Sequence, residues 1–321
     1  MLKLAQMLAS LADGISRRLQ TGSATRERYL KVDKASLPPT PNIIAAGHPG
    51  ATQTSLFEDV ASISLFDVVL IETHNRCTRR CWFCKFGQER QDPERQDMSD
   101  EMLLQLANNL QELEFAGRIS PFGINEPLIE PRIINIIKLF RTKCPKAFLS
   151  MNTNGDRLNE QLLQQLFEAG LDALGISIYD DLGMKRLAAY GQDSRIALID
   201  MRQPDQKIEN RGGEIKVNGD RFPADYFTLS SCSRPFNMLV IRPTGNVVLC
   251  CSDMYGDVVM GNVSESRLED IWNSEAFTHY RQELRTQGRT NLRLCQDCSH
   301  DGTTSQVYYP VQPQAVPIAT Q

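Results

Sequence analysis

The sequence predicts an α/β protein in which strand–helix units repeat on a parallel sheet and a small cysteine-bearing domain closes the chain. Three observations carry this expectation. Apolar runs of strand length alternate with amphipathic stretches from Leu65 onward. A tight group of three cysteines follows the first of these runs. A second, dispersed cysteine group comes after residue 230.

The elements follow in order. Leu65 to Glu72 reads as a buried strand. Ser99 can cap a helix running to about Phe115, because its hydroxyl can take an orphan amide of the first turn. Gly117 to Phe122 reads as the second strand, and Pro131 suits the first turn of a helix that ends near Lys143, before Pro145. Ala147 to Asn152 is a strand, Asn159 caps a helix ending at Gly170, and Asp172 to Ile178 is the next strand. A helix and the short strand Ala197 to Met201 complete the series. Repeated βα units imply a parallel sheet, and such sheets collect their chemistry at the C-terminal ends of the strands.

The first cysteine group, Cys77, Cys81 and Cys84, has the spacing C-x3-C-x2-C. Three thiolates on one short loop can hold three irons of a [4Fe–4S] cube and leave the fourth iron open to a small molecule. A zinc knuckle is the other reading. It needs a fourth Cys or His close by, and His74 is the nearby candidate. The spacing, with Phe83 before the third cysteine, resembles the signature of radical S-adenosylmethionine (SAM) enzymes. That resemblance implies an open partial (β/α)6 barrel. It also implies a SAM molecule chelated by the open iron and cleaved by one electron to a 5′-deoxyadenosyl radical.

The later strand ends agree with this resemblance. Gly123-Ile124-Asn125-Glu126-Pro127 follows the second strand and resembles the family's Gly-Gly-Glu-Pro motif, with Ile124 and Asn125 departing from its usual small residues. The motif implies that Gly123 and Glu126 hold the SAM amino group, where a carboxylate suits an ammonium. Thr153-Asn154-Gly155 follows the third strand, and Ser177 lies on the fourth, where the family contacts the ribose. Thr-Asn-Gly is also an ordinary turn. Phe83 is expected over the adenine; Trp82 reads as core or as substrate wall.

The second group is Cys232-x12-Gly245-x4-Cys250, then Cys295-x2-Cys298. Four thiolates can saturate a second cube, or a structural zinc. The pattern resembles a SPASM domain in its shortened form, called twitch, as in aminocyclitol dehydrogenases of that group. It implies one auxiliary [4Fe–4S] cluster on Cys232, Cys250, Cys295 and Cys298. Cys251 is then a spare thiol, either a hydrogen-atom donor or a small packed residue. Cys144, at a helix end before Pro145, reads as structural. Asn210-Arg211-Gly212-Gly213 resembles a turn that precedes such domains; Arg211 can anchor a polar substrate or hold the domain junction. Trp272 is expected to pack a helix against the region's end.

The expected organisation is an N-terminal helix and extended linker over residues 1–62, a radical SAM core over 63–225, the twitch region over 226–303 and a tail over 304–321. Leu4, Met7, Leu8, Leu11, Ile15 and Leu19 recur at helical spacing, and Gln6, Ser10 and Asp13 interrupt the run as they would not in a signal peptide. Nine cysteines in 321 residues fall in clusters as metal ligands do, not as a secreted disulfide framework. Net charge is −4 with Lys and Arg scattered, so no nucleic-acid footprint is expected. No apolar run nears the ~20 residues of a membrane span. Labile clusters and free thiols imply a reducing cytoplasm.

The expected activity is hydrogen abstraction from an unactivated C–H bond, leading to dehydrogenation or epimerisation of an aminocyclitol- or sugar-like molecule. The resemblance implies a reducing partner such as flavodoxin or ferredoxin. A maturase of a ribosomal peptide is the alternative, its leader docking on the N-terminal extension. A non-catalytic metal scaffold is the third reading.

Overall fold

A computed structural model describes residues 65–87, 94–202, 208–215, 232–300 and Gly302. The expected N-terminal helix and linker, and nearly all of the tail, lie outside the described residues.

Eight strands form one mixed sheet in the order β5-β4-β3-β2-β1-β6-β7-β8. They are β1 (Val68–Ile71), β2 (Arg118–Ser120), β3 (Phe148–Thr153), β4 (Ala173–Ile178), β5 (Ile196–Asp200), β6 (Met238–Ile241), β7 (Asn246–Val248) and β8 (Val259–Asn262). β1 through β5 pair in parallel with their neighbours, as expected from alternating strands and helices. The connecting helices are α1 (Asp100–Glu112), α2 (Ile133–Lys143), α3 (Glu160–Glu168) and α4 (Asp181–Leu187). Ser99 and Asn159 cap α1 and α3 through their side chains, as their positions predicted. Each of these two helices buries one face, with Leu103, Leu106 and Leu110 on α1 and Leu163 and Leu166 on α3, while Leu104 is exposed.

Two elements differ from expectation in extent. β2 ends at Ser120 because the chain then bends into the loop that carries Gly123 and Glu126. α2 begins at Ile133, not at Pro131: a turn of 3-10 helix over Pro127–Ile129 precedes it, and the Arg132 guanidinium is held by Glu130 and Asp100.

The expected domain boundary at 225/226 is spanned by the sheet. β6 pairs in parallel with β1 in register Val68 to Met238 through Ile71 to Ile241. β7 and β8 then add antiparallel strands. The β6–β7 turn requires Gly245, whose φ of +84 L side chains rarely adopt. This turn explains the Gly-x4-Cys spacing: four residues beyond it, β7 has ended and Leu249 and Cys250 begin the next loop. Helices α5 (Leu268–Trp272) and α6 (Glu275–Thr286) cover this half. Trp272 is fully buried against Phe66 (5.5 Å, edge-on) and Phe277 (5.3 Å), with the Arg281 guanidinium 3.8 Å from its ring. Cys144 is buried in the same core, as expected.

Candidate functional site: two cysteine sites at one end of the sheet

The first cysteine loop leaves the C-terminal end of β1 and is held there by backbone and side-chain contacts. The His74 Nδ1 accepts the Arg76 amide (3.1 Å) and its Nε2 faces Asn125 (3.5 Å), so the only nearby candidate for a fourth zinc ligand is engaged by protein groups. Burial holds its pKa below the usual histidine range. The Arg76 carbonyl accepts the amide of Glu126, tying the loop to the one after β2. Asn154 donates to Thr78 Oγ1 (2.9 Å) and lies 3.8 Å from the Cys77 sulfur. At the loop's exit, a Cβ on Gly87 would lie 2.1 Å from the Cys81 carbonyl oxygen, so only glycine fits. Burial raises the pKa of all three thiols, that of Cys81 to about 11, and neighbouring cysteines add to the rise at Cys77 and Cys81. Thiols kept protonated this way ionise when a cation arrives, which suits metal loading.

Glu126 is engaged within the chain. Its carboxylate accepts three donors of its own chain: Thr153 Oγ1 (2.6 Å), the Asn154 amide (2.8 Å) and the Leu128 amide (3.0 Å). It therefore brackets the loops after β2 and β3. Gly123 packs against Glu72, with its amide donating to Asn125 Oδ1.

Phe83 lies near-parallel to Tyr179 (23°, centroids 6.1 Å apart) and edge-on to Trp82. Ser177 is hydrogen-bonded to Tyr179, two residues on and on the same face of the strand. Trp82 is 49% exposed, which excludes the core reading. Arg79 is a residue that sequence reasoning missed. It chelates Asp156, donates to Asp180 (3.0 Å) and sits 5.0 Å from the Tyr179 ring, so it joins three loops. The signal was Asp156, directly after the Thr-Asn-Gly turn.

The second site is a cavity of about 320 Å3, open solvent at its mouth included. Cys232, Cys250, Cys295 and Cys298 all line it, with Arg234, Arg289 and His300. Three separate segments thus deliver four thiols to one space. Among the described residues, no three His, Cys, Asp or Glu side chains converge tightly enough to hold a single metal ion. An all-sulfur donor set lining one cavity fits an iron–sulfur cube. Buried Arg234 pairs with Glu209 through both nitrogens (2.9 Å each) and donates to Ser252 (2.7 Å). Glu209 and Arg234 carried no spacing signal in the sequence.

Cys251 is not among the cavity residues; it is half-buried against the apolar cluster of Leu70, Met238, Val240, Val248 and Cys250. Arg211 has a positive φ of +50 and donates to the Cys251 carbonyl (3.3 Å). Its charge also acts on the Cys84 thiol of the first site. The Asn210 side chain anchors this turn to the Asp297 carbonyl (2.6 Å) and the Ser299 amide (2.8 Å), beside the last cysteine pair.

The family model for the radical SAM superfamily matches residues 71–180, and that for the iron–sulfur cluster-binding SPASM domain matches residues 232–299. The chain belongs to the radical SAM superfamily. It is 29% identical over 248 residues to an S-adenosyl-L-methionine-dependent 2-deoxy-scyllo-inosamine dehydrogenase of Niallia circulans, covering 76% of this chain and 97% of that one. The crystal structure of BtrN in complex with AdoMet and 2-DOIA matches with TM-score 0.68 and 29% identity over 77% of this chain and 98% of that chain. An open conformation of BtrN matches at 0.59 and 26% identity, over 74% and 94%. This radical SAM enzyme therefore uses SAM and [4Fe–4S] clusters, one in the core and one in the SPASM region. No helix among the described residues is long and apolar enough to cross a membrane.

Proposed function

We propose that this enzyme dehydrogenates a hydroxyl-bearing carbon of an aminocyclitol-like small molecule, with Arg211 at the reacting hydroxyl. The observation that carries this reading is the four-thiol cavity. With Cys232, Cys250, Cys295 and Cys298 as ligands, the auxiliary cluster has no open iron, so substrate does not bind to it and outer-sphere electron acceptance is its natural part. The relation to a 2-deoxy-scyllo-inosamine dehydrogenase supports the substrate class.

When bound, the core cluster and SAM supply a 5′-deoxyadenosyl radical that takes one hydrogen from carbon. Cys77, Cys81 and Cys84 are assigned as core-cluster ligands. The loops of Gly123, Asn154 and Ser177 are assigned to the SAM side, and Phe83 with Tyr179 to the adenine side. Glu126 and Arg79 keep these loops in register. Arg211, whose guanidinium meets the Cys251 carbonyl and whose charge reaches Cys84, orients the substrate hydroxyl and stabilises its oxygen as the O–H proton passes to solvent. Loss of the C–H hydrogen, the O–H proton and one further electron converts the alcohol to a ketone. A low-potential donor such as flavodoxin or ferredoxin in the cytoplasm supplies the priming electron.

The test is turnover of 2-deoxy-scyllo-inosamine by the anaerobically reconstituted enzyme with SAM and dithionite. A ketone lacking two hydrogens, formed in step with 5′-deoxyadenosine, is the expected result. SAM cleavage with a stereo-inverted alcohol as product would sink the dehydrogenase reading.

A further inference from the structure

A buried ionic group lies beneath both cysteine loops and has no part in the reaction above. Glu72, immediately after β1, is fully buried. Its Oε1 is 3.4 Å from Lys85 Nζ, and its Oε2 accepts the Arg242 guanidinium. Lys85 directly follows Cys84. Arg242 directly follows β6, and its other terminal nitrogen donates to the Asp253 carbonyl. The Asp253 amide in turn donates to the Cys250 carbonyl (3.2 Å). The Glu72 amide donates to the Ile241 carbonyl (2.8 Å), which puts the two strand ends side by side.

One carboxylate thus stands between two buried cations, and each cation touches or adjoins one cysteine loop. Burying three charges is costly, and apolar residues of similar volume could fill the same space. The placement also has an electrical effect. A cluster gains negative charge on reduction, so fixed charge beside it in a poorly screened interior moves its potential.

We propose that Glu72 is a positioning residue that ties the two cysteine loops together through Lys85 and Arg242, and that its charge lowers the reduction potentials of both clusters. This rests on the assignment of the two cysteine sets to clusters. Removing the carboxylate charge leaves two uncompensated cations, which favour the reduced form. Removing Lys85 leaves Glu72 paired with Arg242 and acts in the opposite sense, most strongly at the adjoining core cluster.

The test is potentiometric titration, followed by electron paramagnetic resonance, of the reconstituted enzyme without SAM, with iron counted in each sample. Glu72→Gln is expected to shift both midpoints upward. Lys85→Met is expected to shift the core-cluster midpoint downward, and the double variant to return it toward the wild-type value. Unmoved midpoints in both single variants at full iron load would overturn the proposal, as would a double variant displaced as far as Glu72→Gln. Where Glu72→Gln does not fold, an unmoved core midpoint in Lys85→Met overturns it alone. Stoichiometric zinc in the wild-type protein would overturn the cluster assignment and this proposal with it, a failure distinct from unmoved potentials.

Discussion

Arg79 and Asp156 meet through a two-pronged ion pair, with the shortest contact 2.6 Å, across 77 residues of sequence. The first residue lies inside the cysteine loop and the second in the turn after β3. Bidentate geometry fixes orientation as well as distance, so the loop between Cys77 and Cys81 is aimed before any cofactor arrives. Arg79→Lys keeps the charge and loses the fork. It should weaken SAM binding while leaving the iron count unchanged, as measured by equilibrium dialysis and iron assay. Lost iron would show that the pair builds the cluster loop itself.

Metal content tests the ligand assignment. Three plus four thiolates imply about eight irons per anaerobically reconstituted chain. Changing Cys77, Cys81 and Cys84 together to Ala should leave about four, and changing Cys295 and Cys298 should remove the other set. Both counts are read by iron and sulfide assay.

Glu126→Gln is expected to act on the fold as well as on SAM binding. Its acceptor oxygens meet three internal donors, and an amide must turn an N–H toward at least one of them. A buried donor facing a donor should cost about 1–3 kcal/mol in denaturant unfolding. SAM affinity should fall as a consequence of displaced loops. Unchanged stability would show that the bracket is dispensable.

Cys251 distinguishes oxidation from quenching. Its packing against Leu70 and Val240 is that of a small apolar residue, so Cys251→Ala should retain turnover. Product formed in D2O should carry no solvent deuterium at carbon. Deuterium at an inverted centre, lost in Cys251→Ala, would make the thiol a hydrogen donor.

His74 gives a pH dependence with a defined sign. Burial, with Arg76 nearby, lowers its pKa below 6.5, against the smaller opposing pull of Glu130, Asp97 and Glu72. Below that pH the unfolded chain binds a proton that the folded one refuses, so stability is full above about 6.5 and declines as pH falls. Denaturation midpoints of the loaded protein should drop between pH 7.5 and 5.5, and drop less in His74→Asn. Equal slopes in the two proteins would remove His74 as the cause.

The parts of the site that were legible in the sequence are those carried by spacing. Cysteines at fixed offsets, caps at Ser99 and Asn159, and the apolar run of β1 depend on neighbours a few residues away. Illegible were the pairings made by folding. Glu72 and Arg242 are 170 residues apart, and nothing local in either marks the other. Met238 to Ile241 reads as any core strand, so its place on the open side of β1 was hidden. The internal donors to Glu126 were equally hidden, because its motif names the residue but not the direction of its carboxylate.

The position of β6 also bears on how the chain is made. β1 carries the first cysteine loop, yet its second flank is filled only by residues 238–241, some 170 positions later. Until those residues leave the ribosome, Val68–Ile71 is an open edge of four apolar residues with unpaired amides. Synthesis therefore leaves the strand that carries the first cysteine loop open along one edge for as long as the remainder takes to emerge. Expression at low temperature, or with a chaperone that shields strand edges, acts on this interval rather than on the finished fold.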